Sequence, residues 1–497
     1  MRCYRSDRTL GRLAEVQTRA LLPGLTVALL FAAWWLSLLV IVDTPIVNLT
    51  PPKIMVFGVL PLLLVARFWR LISQTDRSVI LLTAAYLGWQ PLAALLRGSA
   101  HDLKLTAGYA VFFGGAGLLA YTAARARPQA AAVALIVALV AGLVVTLVGV
   151  VLERATYPGI TGVDPLRPLW EFVRPQGELA DPVPGLGPQP LHFASGDPSV
   201  PRVASWFAHA NYLAFFGFLA AGLLATLLLA ADRRRAILAG IGLAGAALTT
   251  VWTYSRAGLL GLLVIVAAVA VVDRTTTPGR WRFRGLAWRA TPLAIVVLTL
   301  AVSLVADEVG LRRFSAVVTD SEPAPTAEQE PSIEVSAARS GSLRIALQGA
   351  ALGLITDDPL SVVIGPGPAA FDVAVHDPSS RYYVEESAGI VDPNSLWLTI
   401  GLSGGLVAVT VLAAILLVVW IRLLVVARRT DPGPRLWTVR WLAAWIPTWA
   451  VVQFVGTNPF NPSEAMILGT LLGAAVAQSG MAQEASNGAT KIEEGPP

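Results

Sequence analysis

The chain has 497 residues, 55% of them hydrophobic and 14% charged, with a mean hydropathy of +0.64. That is more apolar than a soluble fold of this size requires, so the composition excludes a water-soluble globular protein and places most of the chain in lipid. The net charge of +5 does not select nucleic acid as a partner, because the arginines are spread over short loops beside apolar runs, where membrane topology accounts for them.

A basic segment, 1–20, comes first and carries Arg2, Arg5, Arg8, Arg12 and Arg19. It also holds Cys3, the only cysteine, which rules out a disulfide framework or a thiolate metal site. Apolar runs near twenty residues follow and read as membrane-spanning helices, about 12 in all. They are placed near 21–43, 52–68, 78–97, 105–123, 130–151, 206–230, 236–253, 257–272, 291–306, 395–425, 437–456 and 463–478. The first can serve as an uncleaved anchor. The fold class is therefore all-α and membrane-embedded: five spans over 21–151, a loop over 152–205, four spans over 206–306, a large loop over 307–394 between the ninth and tenth spans, three spans over 395–478, and a polar tail over 479–497 predicted to be disordered.

Alternating the loops between the two sides of the bilayer gathers nearly all arginines on one side. That side receives the N-terminal set, then Arg67, Arg70, Arg77, Arg125, Arg127 and Arg233 to Arg235, and later Arg274 to Arg289 and Arg422 to Arg440. It is the cytoplasmic side, which predicts cytoplasmic termini. The two long loops are then extracytoplasmic, and loops of that length usually carry function. Within the second, 308–341 is rich in Pro, Glu, Ser and Ala and is expected to be a flexible excursion. Ser342 then caps a helix whose apolar stripe is Leu343, Ala346, Leu347, Ala350, Ala351 and Leu354, ended by Asp357-Asp358-Pro359. It is expected to lie against the membrane surface or the outer mouth of the bundle.

The candidate site residues fall on that extracytoplasmic side. Arg202 precedes the sixth span, and His209 and Asn211 sit just inside its outer end. A polar pair there either lines an open cavity or makes a helix–helix hydrogen bond. Arg256 lies in a turn so tight that two helices meet at the surface, and its fork of N–H donors suits a diphosphate; an arginine that snorkels to pin a helix end gives the same pattern. Arg344 lies at the edge of the apolar stripe, as a second anion ligand or a solvated charge. Gly365 and Gly367 can expose backbone N–H groups to an anion or simply form a turn. Asp392 and Asn394 stand where the long loop re-enters the membrane, in the N-cap region of the tenth span. His192 and His376 lack partners at metal-ligand spacing, so neither a metal nor another cofactor is assigned.

Four stretches together resemble the O-antigen ligase and O-antigen polymerase superfamily. They are Arg202-Val-Ala-Ser-Trp-Phe-Ala-His-Ala-Asn211, the turn Thr253-Tyr-Ser-Arg-Ala-Gly258, the run from Arg344 through Asp358-Pro-Leu360 to Gly365-Pro-Gly367 and Phe371, and Asn394-Ser-Leu-Trp-Leu398 followed by Gly404. The resemblance covers roughly 200–411. It implies transfer of a glycan from a polyprenyl-diphosphate carrier to a glycan or lipid acceptor on the outer face of the inner membrane, with Arg256 and Arg344 as the diphosphate-binding pair. Two positions depart from the pattern: Pro393 replaces the histidine before the asparagine, and Leu402 an acidic residue. Proline cannot take a proton, so a base role falls to a neighbour such as Asp392 or is not needed. A protein O-oligosaccharyltransferase would share the donor and differ in acceptor; a transporter or flippase of lipid-linked glycans would bind the donor without cleaving it.

Overall fold

The computed structural model describes residues 42–43, 48–49, 72–155, 210–230, 232–277, 286–306, 333–384, 393, 395–454 and 462–493. Its helices are α1 (Gln74–Leu96), α2 (Ala100–Ala126), α3 (Pro128–Ala155), α4 (Ala210–Ala230), α5 (Arg233–Trp252), α6 (Arg256–Thr276), α7 (Leu286–Ala306), α8 (Ile333–Thr356), α9 (Pro359–Ile364), α10 (Pro368–His376), α11 (Leu396–Arg429), α12 (Pro434–Val452) and α13 (Pro462–Glu493). A two-residue antiparallel pairing, Val42–Asp43 with Asn48–Leu49, is the only strand structure among the described residues.

Seven of these helices, α1 to α6 and α11, are long and apolar enough to cross a membrane. Ten of the expected spans overlap a described helix; the second falls outside the described residues, as does the first except for its last two residues, Val42–Asp43, which are strand rather than helix. The outward faces say why lipid is required. On α3, Val133, Val137, Val140, Val144, Val148 and Val151 repeat at helical spacing and are all exposed, as are Leu238 and Ile241 on α5. Such a stripe is unfavourable against water and neutral against acyl chains.

Between helices, lipid offers no hydrophobic drive, so close packing must hold the bundle together. Small residues supply it. A Cβ placed on Gly117 of α2 would lie 3.0 Å from the Gly469 carbonyl of α13. On α6, one at Gly258 would come within 2.5 Å of the Ala214 Cβ, and one at Gly261 within 2.6 Å of the Phe218 ring, both on α4.

The ends of the bundle differ in charge. Arg422 of α11 donates to the Thr75 carbonyl of α1, Arg428 to Thr275 of α6, and Arg435 of α12 to Gln478 of α13. These contacts gather the arginine-rich ends of the helices on one side. At the opposite end the α1–α2 tip and the start of α11 assemble with α8, α9 and α10, and the α5–α6 turn lies at the same end.

Two boundaries differ from expectation. α8 begins at Ile333 rather than Ser342, because Glu334 to Leu343 contains mostly tolerable helix formers and no proline. α13 runs on to Glu493, beyond Ser479, through Ala482, Gln483, Glu484 and Ala485, which favour helix as well as solvent.

Candidate functional site at the arginine-poor end

Arg256 occupies the first position of α6. The turn before it is closed by its own hydroxyls. Thr253 Oγ1 donates to the Thr250 carbonyl at 2.6 Å and accepts the Ser255 N–H at 3.1 Å. Ser255 caps α6, its Oγ accepting the Gly258 N–H at 3.2 Å. Tyr254 between them is buried and holds φ +50°, a left-handed conformation that a non-glycine residue adopts at a cost and that locks the turn's direction. The turn therefore presents Arg256 from a fixed backbone.

The same packing brings in α4. Ala214, facing Gly258, lies one turn after Asn211, so Asn211 and Arg256 emerge from adjoining helices at the same end. Arg202 and His209 lie outside the described residues.

Arg344 comes from a separate unit at this end. Leu347, Ala350, Ala351 and Ile355 of α8 pack with Phe371 and Val375 of α10 and Leu402 of α11, with Leu343 and Leu354 at the margin. This reproduces the predicted stripe apart from Ala346, which is exposed. Gln348 Nε2 donates to the Phe454 carbonyl at 3.1 Å and docks α8 beside the end of α12. Arg344, one turn earlier, is half-buried at the same end.

Gly365 and Gly367 have internal partners. The Gly365 N–H donates to the Ser361 carbonyl at 2.9 Å and the Gly367 N–H to the Leu402 carbonyl at 2.8 Å. Both have positive φ, +74° and +102°, and a Cβ on Gly365 would collide with the Leu402 and Gly401 carbonyls. They let the α9–α10 link lie flat on α11, which breaks at Gly405 (φ 65°, ψ −168°). Trp89 Nε1 of α1 donates to the Gly404 carbonyl at 2.8 Å, filling an acceptor freed near the break.

Arg97 and Asp102, at the α1–α2 tip, are the residues that sequence reasoning missed. Arg97 Nη1 donates to the carbonyls of Ile364 at 2.6 Å, Gly365 at 3.0 Å and Ser403 at 3.2 Å. Its Nε lies 3.5 Å from Asp102 Oδ2, and Asp102 Oδ1 accepts the Ala369 N–H at 2.9 Å. Burial pulls the Arg97 guanidinium below its usual pKa, and the Asp102 charge opposes that. The available signal was an arginine on the arginine-poor side, followed by Ser99-x-x-Asp102.

Asp392 and Asn394 lie outside the described residues. Between them Pro393 is buried, and Ser395 is the N-cap of α11, whose first N–H, from Leu396, reaches the Gln453 carbonyl at 3.0 Å.

Residues 241–413 match the family model described as O-antigen ligase. The matched segment runs from within α5 to just past the break in α11 and includes Arg256, Arg344 and the α9–α10 link, and it supports the resemblance to the O-antigen ligase and polymerase superfamily. No curated protein matches the chain.

Proposed function

We propose that this chain, whose residues 241–413 carry an O-antigen ligase domain, transfers a glycan from a polyprenyl-diphosphate carrier to a glycan or lipid acceptor at the outer face of the bacterial inner membrane. The observation that carries the reading is Arg256, held by a hydroxyl-locked turn within the matched segment, at the end of the bundle opposite the arginine cluster. The positive-inside bias makes that end extracytoplasmic and the termini cytoplasmic.

The chemistry follows from charge. The acceptor hydroxyl oxygen forms a bond to the anomeric carbon as the bond from that carbon to the diphosphate oxygen breaks, and the electron pair leaves with the diphosphate. Negative charge grows on the departing oxygen, and guanidinium groups fixed at a partly dry surface stabilise it more than the ground state. In this proposal Arg256 and Arg344 grip the diphosphate, while Arg202, His209, Asn211 and Asn394 contact the substrate. The acceptor proton passes to Asp392 or to the departing phosphate. Gly365 and Gly367 shape the surface, their N–H groups already engaged.

The acceptor divides ligase, polymerase and protein O-oligosaccharyltransferase, and the chain's residues do not divide them. A flippase would place cationic groups along a path through the bilayer; in the seven helices long and apolar enough to cross it, the arginines lie towards the ends. Proteoliposomes loaded with lipid-diphosphate-linked glycan test the reading. Transfer to an added acceptor with release of the lipid diphosphate is expected; glycan crossing the bilayer with its carrier bond intact would replace the enzyme with a flippase.

A further inference from the structure

The arginine-rich end holds a feature that glycan transfer leaves unused. A cavity of about 290 Å³ opens between the last turns of α4, α6 and α11 and the first turns of α7 and α12, and its charged lining is Asp273, Arg289, Arg428, Arg429, Asp431 and Arg440. Asp273 stands at the centre. Arg440 Nη1 donates to its Oδ1 at 2.9 Å, and Arg289 Nε lies 3.4 Å from its Oδ2. Arg440 Nη2 donates to Thr277 Oγ1 at 2.5 Å, while its Nε is buried without an acceptor.

One carboxylate thus serves two guanidiniums. Arg428 donates to the Thr275 carbonyl at 3.2 Å, capping the end of α6. Around Asp273 two guanidiniums therefore face a single carboxylate, an excess of one positive charge. The side chains of Arg440 and Arg289 are only 10% and 24% exposed, so water does little to screen the excess. Charge surplus in a partly dehydrated cavity calls for an anion, and guanidinium forks match phosphate oxygens. The other walls are apolar: Leu229, Ala230 and Leu436, with Trp288 and Trp437 as amphipathic rings of the kind that favour the lipid–water boundary.

We infer that this cavity binds a phosphate-bearing anion, and its apolar walls favour an anionic phospholipid headgroup over free phosphate. The site lies at the opposite end from the proposed transfer site and stands independently of it.

The test uses the full chain in detergent and measures binding of short-chain phosphatidylglycerol, short-chain phosphatidylcholine and inorganic phosphate by calorimetry. Arg289→Gln is the main variant, because it leaves the Arg440–Asp273 pair in place and so spares the fold. The expected result is binding of phosphatidylglycerol in preference to phosphatidylcholine, weakened about fivefold by Arg289→Gln. Inorganic phosphate bound as tightly, with the same loss in the variant, would assign the site to a free anion. Equal binding of the two lipids, no binding of any probe, or a variant indistinguishable from the unaltered protein would overturn the inference.

Discussion

Removing Arg97 should release the α9–α10 unit from the bundle. The guanidinium joins three elements that are distant in sequence: it donates to Ile364 and Gly365 in the link and Ser403 at the α11 break, and faces Asp102 on α2. Its side chain is 11% exposed and that of Asp102 is 2% exposed, so water cannot replace the lost partner. Arg97→Ala strands a buried carboxylate and leaves three carbonyls short of a donor, which costs about 3–5 kcal/mol. The loss is local, because α9 and α10 reach the bundle largely through this contact and the α11 surface. Hydrogen exchange measured by mass spectrometry over 359–384 should accelerate about 10²- to nearly 10⁴-fold in Arg97→Ala, with little change in α4 to α6. Arg97→Lys should fall between, since an ammonium cannot span the carbonyls and the carboxylate as a planar fork does. Exchange over 359–384 unchanged in Arg97→Ala would refute the reasoning.

Other outcomes follow from backbone geometry and capping. Gly405→Ala forces a side chain into a left-handed break and against the Val363 carbonyl; thermal unfolding in detergent should show a loss of about 2–4 kcal/mol. Gly261→Val should loosen α6 from α4 by about 1–3 kcal/mol on the same assay, because the Phe218 ring must move. Asp358 caps α9, and the Ser361 hydroxyl and backbone N–H hold its carboxyl below the ordinary value. A depressed folded-state pKa means that the cap contributes above the unfolded value near 4 and is lost as pH falls through the folded one. Exchange protection of 359–364 should therefore drop in acid in the unaltered protein, and Asp358→Asn should abolish that drop.

Most of the helical framework was legible in the sequence because lipid demands long apolar runs, and a run such as 130–151 has no other plausible structure. Arg256 was legible for a related reason, since a cation on the arginine-poor side stands out against the charge bias. Helix ends in polar stretches were harder. α8 starts ahead of Ser342 because nothing before it forbids helix, and a capping residue can also sit inside one. Gly365 and Gly367 were visible as a turn, but whether their N–H groups face an anion or the Ser361 and Leu402 carbonyls depends on how the link folds and packs on α11. Arg97 escaped for the same reason: the carbonyls it binds lie more than 260 residues away in the chain, and its neighbour Asp102 gives no sign of them.

The central claim is that Arg256 and Arg344 stabilise a departing lipid diphosphate. The measurement that tests it most directly is the rate of glycan transfer in proteoliposomes from a lipid-diphosphate-linked donor at saturating concentration, for Arg256→Ala, Arg344→Ala and Arg256→Lys, each shown to be folded. Loss of a transition-state contact predicts a fall in the maximal rate of about 10²–10³-fold for each alanine variant, with partial recovery for lysine, which keeps the charge and loses the fork. Maximal rates equal to that of the unaltered protein would contradict the account.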